Sequence, residues 1–425
     1  MLLCLYQILF YLIQPLIWLY LLLRSHKVPV YRQRWGERYG FCTGKVVANG
    51  ILLHSVSVGE TLAVIPLIKA LRYHYPNMPI TVTTMTPTGS ELVKSILNNK
   101  VYHVYLPYDL PCAINRFLNE LNPHLVIIME TELWPTLIYT LYRRSIPLIV
   151  VNARLSERSA ARYRKLGYFI RQMLQRITLV VAQCHEDGER FISLGLKRCQ
   201  LNIIGNLKFD ITITPELATN AANLRSKWAP HRPVWIATST HNGEEILLLS
   251  AYRKLLLMHP NLLLILVPRH PERFSIVIEL VKKAGLNYIL RSCNKIPSAN
   301  IQVVIGDTMG ELLLLYGIAD IAFIGGSLVK YGGHNPLEAA AHSIPILMGL
   351  YTFNFKEICT KLIKAEGLIT VTNILSLVQK INFLLSDKNR LFYHGQQAIN
   401  VLYKNQGALQ RLLCLLVLYL RPYNH

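Results

Sequence analysis

The sequence predicts an α/β protein of two doubly wound halves facing each other across a cleft, carried behind an apolar N-terminal helix. Three observations predict it. From Gly50 onward, short β-branched runs alternate with helical patterns; one polar connector interrupts that rhythm near the middle; and residues 2–23 carry no formal charge. The 425 residues are 52% apolar and only 16% charged, which excludes a disordered chain, a collagen or a small disulfide scaffold. Lys plus Arg is 45 against 24 Asp plus Glu, a net +21. A surplus of this size implies an anionic partner, whether nucleic acid, a phospholipid surface or a phosphorylated substrate.

The elements follow in order. Leu2 to Leu23 is an uncharged run broken by Gln7, Gln14 and Pro15, and at about 1.5 Å per residue it is long enough to cross a hydrocarbon core of ~30 Å. Arg24, Lys27, Arg32 and Arg34 follow the run rather than precede it, which disfavours a cleaved secretory signal. Positive charge on the C-terminal flank keeps that flank in the cytoplasm, so the sequence predicts a membrane anchor that spans or lies in the plane. Next come ILLHS at 51–55, ITVTTMT at 80–86, VYHVYLP at 101–107, LVIIME at 125–130, PLIVVNA at 147–153 and LVVAQC at 179–184. Each reads as a buried parallel strand. The polar stretch from Gly205 to Pro233 stops the rhythm, which resumes with VWIATS, LLLILVP, IQVVIG, IAFIGG and PILMG. These boundaries give an anchor over 1–24, a Rossmann-like domain over 25–212 and a second over 213–425, whose terminal helix is free to pack back on the first. The eight cysteines show no Cys-x-x-Cys pair and read as reduced thiols rather than a structural zinc site.

Chemistry is expected where strands end and helices begin. In HSVSVGE, Glu60 stands at a strand-to-helix turn, as a carboxylate base or as a first-turn acid complementing the helix macrodipole. METELWP puts Glu130 and Glu132 two positions apart after an apolar strand, on the same side of an extended chain; helix capping is the ordinary role for Glu132. Lys208 in GNLKFD is a cation just before the connector. Arg154, Arg158, Arg162 and Lys165 would share one face if their segment is helical, a surface for anionic headgroups or simply for water. In the second half Arg269 follows LLLILVP, where a guanidinium can clamp a phosphate. GGSLVKYGGHNPLEAAAH is a glycine-rich loop running into a helix started by Asn335 and Pro336, with Glu338 one turn in, within reach of ribose hydroxyls.

Taken together, HSVSVGE, METELWP, GNLKFD, VPRHPERF, DTMGEL and GGHNPLEAA, in this order behind an apolar N-terminus, resemble the 3-deoxy-D-manno-octulosonic acid (Kdo) transferases of Gram-negative bacteria. The resemblance covers essentially the whole chain. It implies a GT-B fold and a cofactor-free, metal-independent, inverting transfer of Kdo from CMP-Kdo to a tetraacylated, bisphosphorylated lipid A precursor at the inner membrane. It further implies Glu60 as base, Glu130 and Lys208 as transition-state stabilisers, and CMP held by Pro268, Arg269, Met309, Gly310, Glu311, Asn335, Pro336, Leu337 and Glu338. Another two-domain nucleotide-sugar enzyme, such as an epimerase, would share the build. A membrane-tethered nucleic-acid-binding protein would share the charge, but the chain lacks zinc spacing or an aromatic RNA-binding signature, so no nucleic-acid partner is expected.

Overall fold

Each of the β-branched runs forms a strand, and every strand pairing is parallel. The computed structural model describes residues 2–27, 29–42 and 44–420. The chain divides into two units, Met1–Asp210 with Gln406–His425, and Ile211–Asn405.

In the first unit the strands are β1 (Ile51–His54), β2 (Ile80–Thr84), β3 (Tyr102–Tyr105), β4 (Leu125–Met129), β5 (Leu148–Ala153), β6 (Leu179–Ala182) and β7 (Leu201–Ile203). They lie in the order β3-β2-β1-β4-β5-β6-β7. The second unit holds β8 (Val234–Thr240), β9 (Leu263–Pro268), β10 (Tyr288–Leu290), β11 (Val303–Ile305), β12 (Ile321–Ile324), β13 (Ile346–Met348) and β14 (Leu368–Thr370). Their order is β10-β11-β9-β8-β12-β13-β14. Each sheet therefore reverses direction once, between β1 and β4 and between β8 and β12. At such a switch point the flanking helices leave on opposite faces and open a crevice at the carboxyl ends of the strands.

Alternation along the strands sends side chains to both faces, and both are covered. Leu52, Val126, Ile128 and Val150 pack on one side of the first sheet with Phe117 and Leu141. Ile51, Leu53, Ile127 and Ile149 pack on the other with Leu67, Ile68 and Leu71. That second face also takes Leu412, Leu416 and Leu420 from the last helix, Ala408–Leu420. Asp210 holds this helix by accepting from the Gly407 and Leu409 N–H groups, both at 2.6 Å. The first helix, Leu2–Lys27, lies against the first unit through a narrow seam that includes Leu21, which packs in a cluster with Tyr31, Tyr108 and Leu110.

Candidate active site

At the switch point of the first sheet, Glu60 follows β1 and Glu130 follows β4. Ser57 is the N-cap of helix Val58–His74, its hydroxyl accepting from the Glu60 N–H. In return the Glu60 carboxylate accepts from the Val56 N–H at 2.9 Å and from the Ser57 hydroxyl at 2.9 Å. Helix-end complementation and a chemical role thus coexist in one side chain: each oxygen is engaged once and keeps acceptor capacity. Burial pushes the Glu60 carboxyl above its usual range; the Val56 N–H opposes this, the Glu130 charge adds to it, and Ser57 and Lys208 pull the other way.

Glu130 differs from the extended-chain reading. The strand ends at Met129, and Glu130 takes φ 55, in the left-handed region that non-glycine residues rarely occupy. Its N–H still donates to the Val151 carbonyl, so the strained residue is anchored to the sheet edge. Strain of this sort persists only where the surroundings over-determine it. The Lys208 ammonium donates to the Glu130 carboxylate at 2.9 Å. Lys208 is positioned by a buried network: the Asn206 side chain accepts from the Lys208 N–H, and Asn152, itself at φ 53, accepts from the Leu207 N–H. Glu132 is not a helix cap. Asp109 takes that role, accepting from Thr136 and Leu137 N–H at 2.7 and 2.8 Å at the start of helix Pro135–Arg143. Instead, burial pushes the Glu132 carboxyl up to about 7, helped by the charges of Glu60 and Glu130. The first site is thus three carboxylates and one ammonium. His54 stays outside this chemistry, fully buried in β1 with Nδ1 3.0 Å from the Thr83 hydroxyl.

In the second unit Pro268 closes β9, and the Arg269 N–H donates to the carbonyl of Thr240 at the end of β8. Burial raises the Glu338 carboxyl, while a hydrogen bond from Asn335 and the Arg269 charge lower it. The helix after Asn335 is only Leu337–Ala341, so its macrodipole is short, and the Asn335 side-chain Oδ1 already accepts from the Leu337 N–H. The N–H groups of the first turn of the glycine loop are also occupied. Glu244, fully buried, accepts from Gly326, Ser327, Leu328 and His241 N–H at 2.7–3.1 Å. Gly325 is required there, since a Cβ would stand 2.4 Å from the Ser239 carbonyl oxygen. Glu311 is gripped by Arg291 at 2.7 Å, Gly310 takes φ 83, and Met309 is exposed.

Sequence reasoning missed a histidine cluster beside Arg269. The His241 and His334 rings stack at 5.0 Å with Nε2 atoms 2.7 Å apart, and Tyr331 stacks on His241 at 4.0 Å. Burial lowers His241 to about 4 and His334 to about 3, assisted by Arg269 and His270, so both are neutral near pH 7. The pattern THN after β8, at a switch-point strand end, is the signal that would have found His241. Among the described residues no group of three His, Cys, Asp or Glu stands close enough to hold a metal ion.

With this geometry in place, likeness to known proteins is informative. The family described as Glycos_transf_N, 3-Deoxy-D-manno-octulosonic-acid transferase (kdotransferase), matches residues 33–211. A 3-deoxy-D-manno-octulosonic acid transferase of Haemophilus influenzae is 49% identical over 410 residues, 96% of each chain. Among solved structures, a glycosyltransferase of Rickettsia africae superposes with a TM-score of 0.57 at 15% identity, covering 89% of this chain and 100% of that one. UDP-GlcNAc 2-epimerase of Neisseria meningitidis, bound to UDP-GlcNAc, gives 0.58 at 14%, over 87% and 99%. At such low identity these two share the fold alone.

Proposed function

The chain belongs to the Kdo transferases, glycosyltransferases of lipopolysaccharide synthesis, and from that premise we propose that it moves Kdo from CMP-Kdo to a bisphosphorylated, tetraacylated lipid A precursor with inversion, using Glu60 as general base. The observation that carries this is the buried Glu60 carboxylate, raised above its usual range, beside the Glu130–Lys208 pair at 2.9 Å. Raising a carboxyl brings its basicity closer to working pH. Inversion needs only one base, which takes the proton from the acceptor hydroxyl as that oxygen bonds the anomeric carbon and the phosphate oxygen of CMP departs from the opposite face. The Glu130–Lys208 pair fixes a charged ammonium at the carboxyl ends of the strands, where it stabilises developing negative charge.

The second unit holds the nucleotide. Arg269 pairs with the single phosphate of CMP, and Glu338, whose carboxyl Asn335 and the Arg269 charge help keep ionised against its burial, accepts from ribose hydroxyls. Pro268, Met309, Gly310, Glu311, Pro336 and Leu337 shape the surround. The first turn of the glycine loop contributes rigidity rather than free donors, since Glu244 occupies its Gly326, Ser327 and Leu328 N–H groups. Both substrates are anionic, which accounts for part of the +21. The apolar N-terminal helix suits an inner-membrane location with a lipid acceptor.

Glu60→Gln keeps the shape and removes the basicity, so transfer should fall by about 10²–10⁴ while CMP affinity holds. In the wild type, activity should be lost as pH falls through a midpoint above the usual glutamate value. Mutant turnover within a few-fold of wild type would rule out the base assignment.

A further inference from the structure

We propose that helix Leu2–Lys27 lies in the plane of the membrane surface, docked lengthwise on the first unit, and does not cross the bilayer. This rests on the membrane location proposed above and fixes which side of the first unit meets the lipid.

The helix divides into two faces. Leu3, Tyr6, Gln7, Phe10, Gln14, Ile17, Leu21 and Ser25 recur at spacings of three and four and are buried or half-buried. That seam runs about 33 Å at 1.5 Å per residue, as long as the hydrocarbon core is thick. Its contacts are polar as well as apolar and are spread from end to end. Gln7 donates to the Thr136 hydroxyl, the Tyr11 hydroxyl lies 3.1 Å from Cys112 Sγ, and the Tyr39 hydroxyl donates to Gln14 at 2.9 Å. Near the end, Arg32 donates to the Ser25 hydroxyl at 2.9 Å. Thr136, Cys112 and Tyr39 belong to the body of the first unit, with Thr136 held by Asp109 at the start of a neighbouring helix, whereas Arg32 lies in the short segment that follows the N-terminal helix itself. A helix spanning the bilayer would either break the bonds to Thr136, Cys112 and Tyr39 or carry that body into hydrocarbon. Both are expensive, because lipid offers no replacement for a lost hydrogen bond.

The opposite face carries Leu5, Leu9, Leu12, Leu16, Leu19 and Leu23, each more than half exposed, with no charge among them. A half-apolar helix pinned along its other side is the geometry of an interfacial anchor, buried about 5–10 Å into the boundary between headgroups and acyl chains. The surroundings specify an anionic lipid surface as the occupant. Beside the first turn, a cavity of about 850 Å³ is lined by Leu2, Leu3 and Gln7 from the helix and by Arg143, Arg144 and Arg176 from the body, with no acidic residue. At the other end of the helix the Arg24 guanidinium lies over Tyr31 and bonds the Tyr20 hydroxyl. Positive charge at both ends of an apolar face complements a plane of anionic headgroups.

Leu5, Leu12 and Leu19 are seven residues apart on the exposed face, so their depths discriminate directly. The full chain, with Cys4, Cys112, Cys199, Cys293 and Cys414 replaced by serine and transfer activity verified, would carry a nitroxide at Leu5→Cys, Leu12→Cys or Leu19→Cys. Depth would be read by oxygen and nickel-chelate accessibility in vesicles of phosphatidylethanolamine and phosphatidylglycerol. An in-plane helix places all three labels at one depth within about 3 Å. A spanning helix separates each neighbouring pair by roughly 10 Å, with Leu12 deepest, and that result would overturn the proposal. Three labels in water would overturn the membrane location as well, so the two failures are distinguishable.

Discussion

Glu132 couples its protonation to pH near neutrality. Its folded pKa of about 7 lies above the ordinary value, so the folded state binds its proton more tightly than the unfolded chain. Stability from this group is present in full below the unfolded value and is lost as pH rises toward 7. Glu132→Gln should therefore raise the melting temperature by a few degrees at pH 8, and change it little below pH 4, which calorimetry at the two pH values checks. Arg269→Ala and Glu338→Ala should each weaken CMP binding by about 1.5–3 kcal/mol, the worth of a charge-assisted bond; titration calorimetry with unchanged affinity in both would remove them from the nucleotide site. At this scale the sequence was only half legible. A charged residue after an apolar strand signals Glu60, Glu130 and Arg269, and Lys208 stands out only as a cation just before the connector. Nothing local signals that Glu130 adopts a left-handed conformation, that Glu244 fills the first turn of the glycine loop, or that His241 and His334 stack, because each depends on residues brought together from distant parts of the chain.

Among elements, interior strands were plain because burial on both faces demands continuous apolar runs. The strands missed were β7, β10 and β14, three residues each and all at sheet edges, where one side pairs with nothing and the apolar demand lapses. The basic segment is also corrected. Only Glu157–Arg164 is helical; Arg154 precedes the Ser156 cap and Lys165 ends the helix, so the four cations do not form one helical face. Glu157 further engages Arg190 at 3.2 Å. Charge reversal at Arg158 and Arg162 should accordingly leave vesicle flotation of the full chain within a few-fold, whereas reversal at Arg143 and Arg176 should reduce it at low salt. The last helix contributes packing rather than anchoring. Leu412→Ala or Leu416→Ala, both fully buried, should cost about 2–5 kcal/mol in chemical denaturation.

For the molecule as a whole, sequence rhythm was sufficient for two doubly wound units, since alternation of strand and helix leaves few other topologies. Transfer should continue in excess EDTA, because the proposed chemistry rests on a guanidinium, an ammonium and a carboxylate; loss of turnover restored by a divalent ion would overturn that cation-free scheme. The route of the chain carries one more consequence, for the order in which the protein is made. The helix that completes one face of the first sheet is encoded after the entire second unit, residues 211–405. At about 5–20 residues per second, a ribosome needs roughly 10–40 s to traverse that interval. Throughout it, the emerging first unit presents an uncovered apolar stripe to chaperones and proteases. A nascent chain stalled at Asn405 should therefore be cleaved within its first unit faster than the released, complete polypeptide, as limited proteolysis of stalled ribosome complexes would measure.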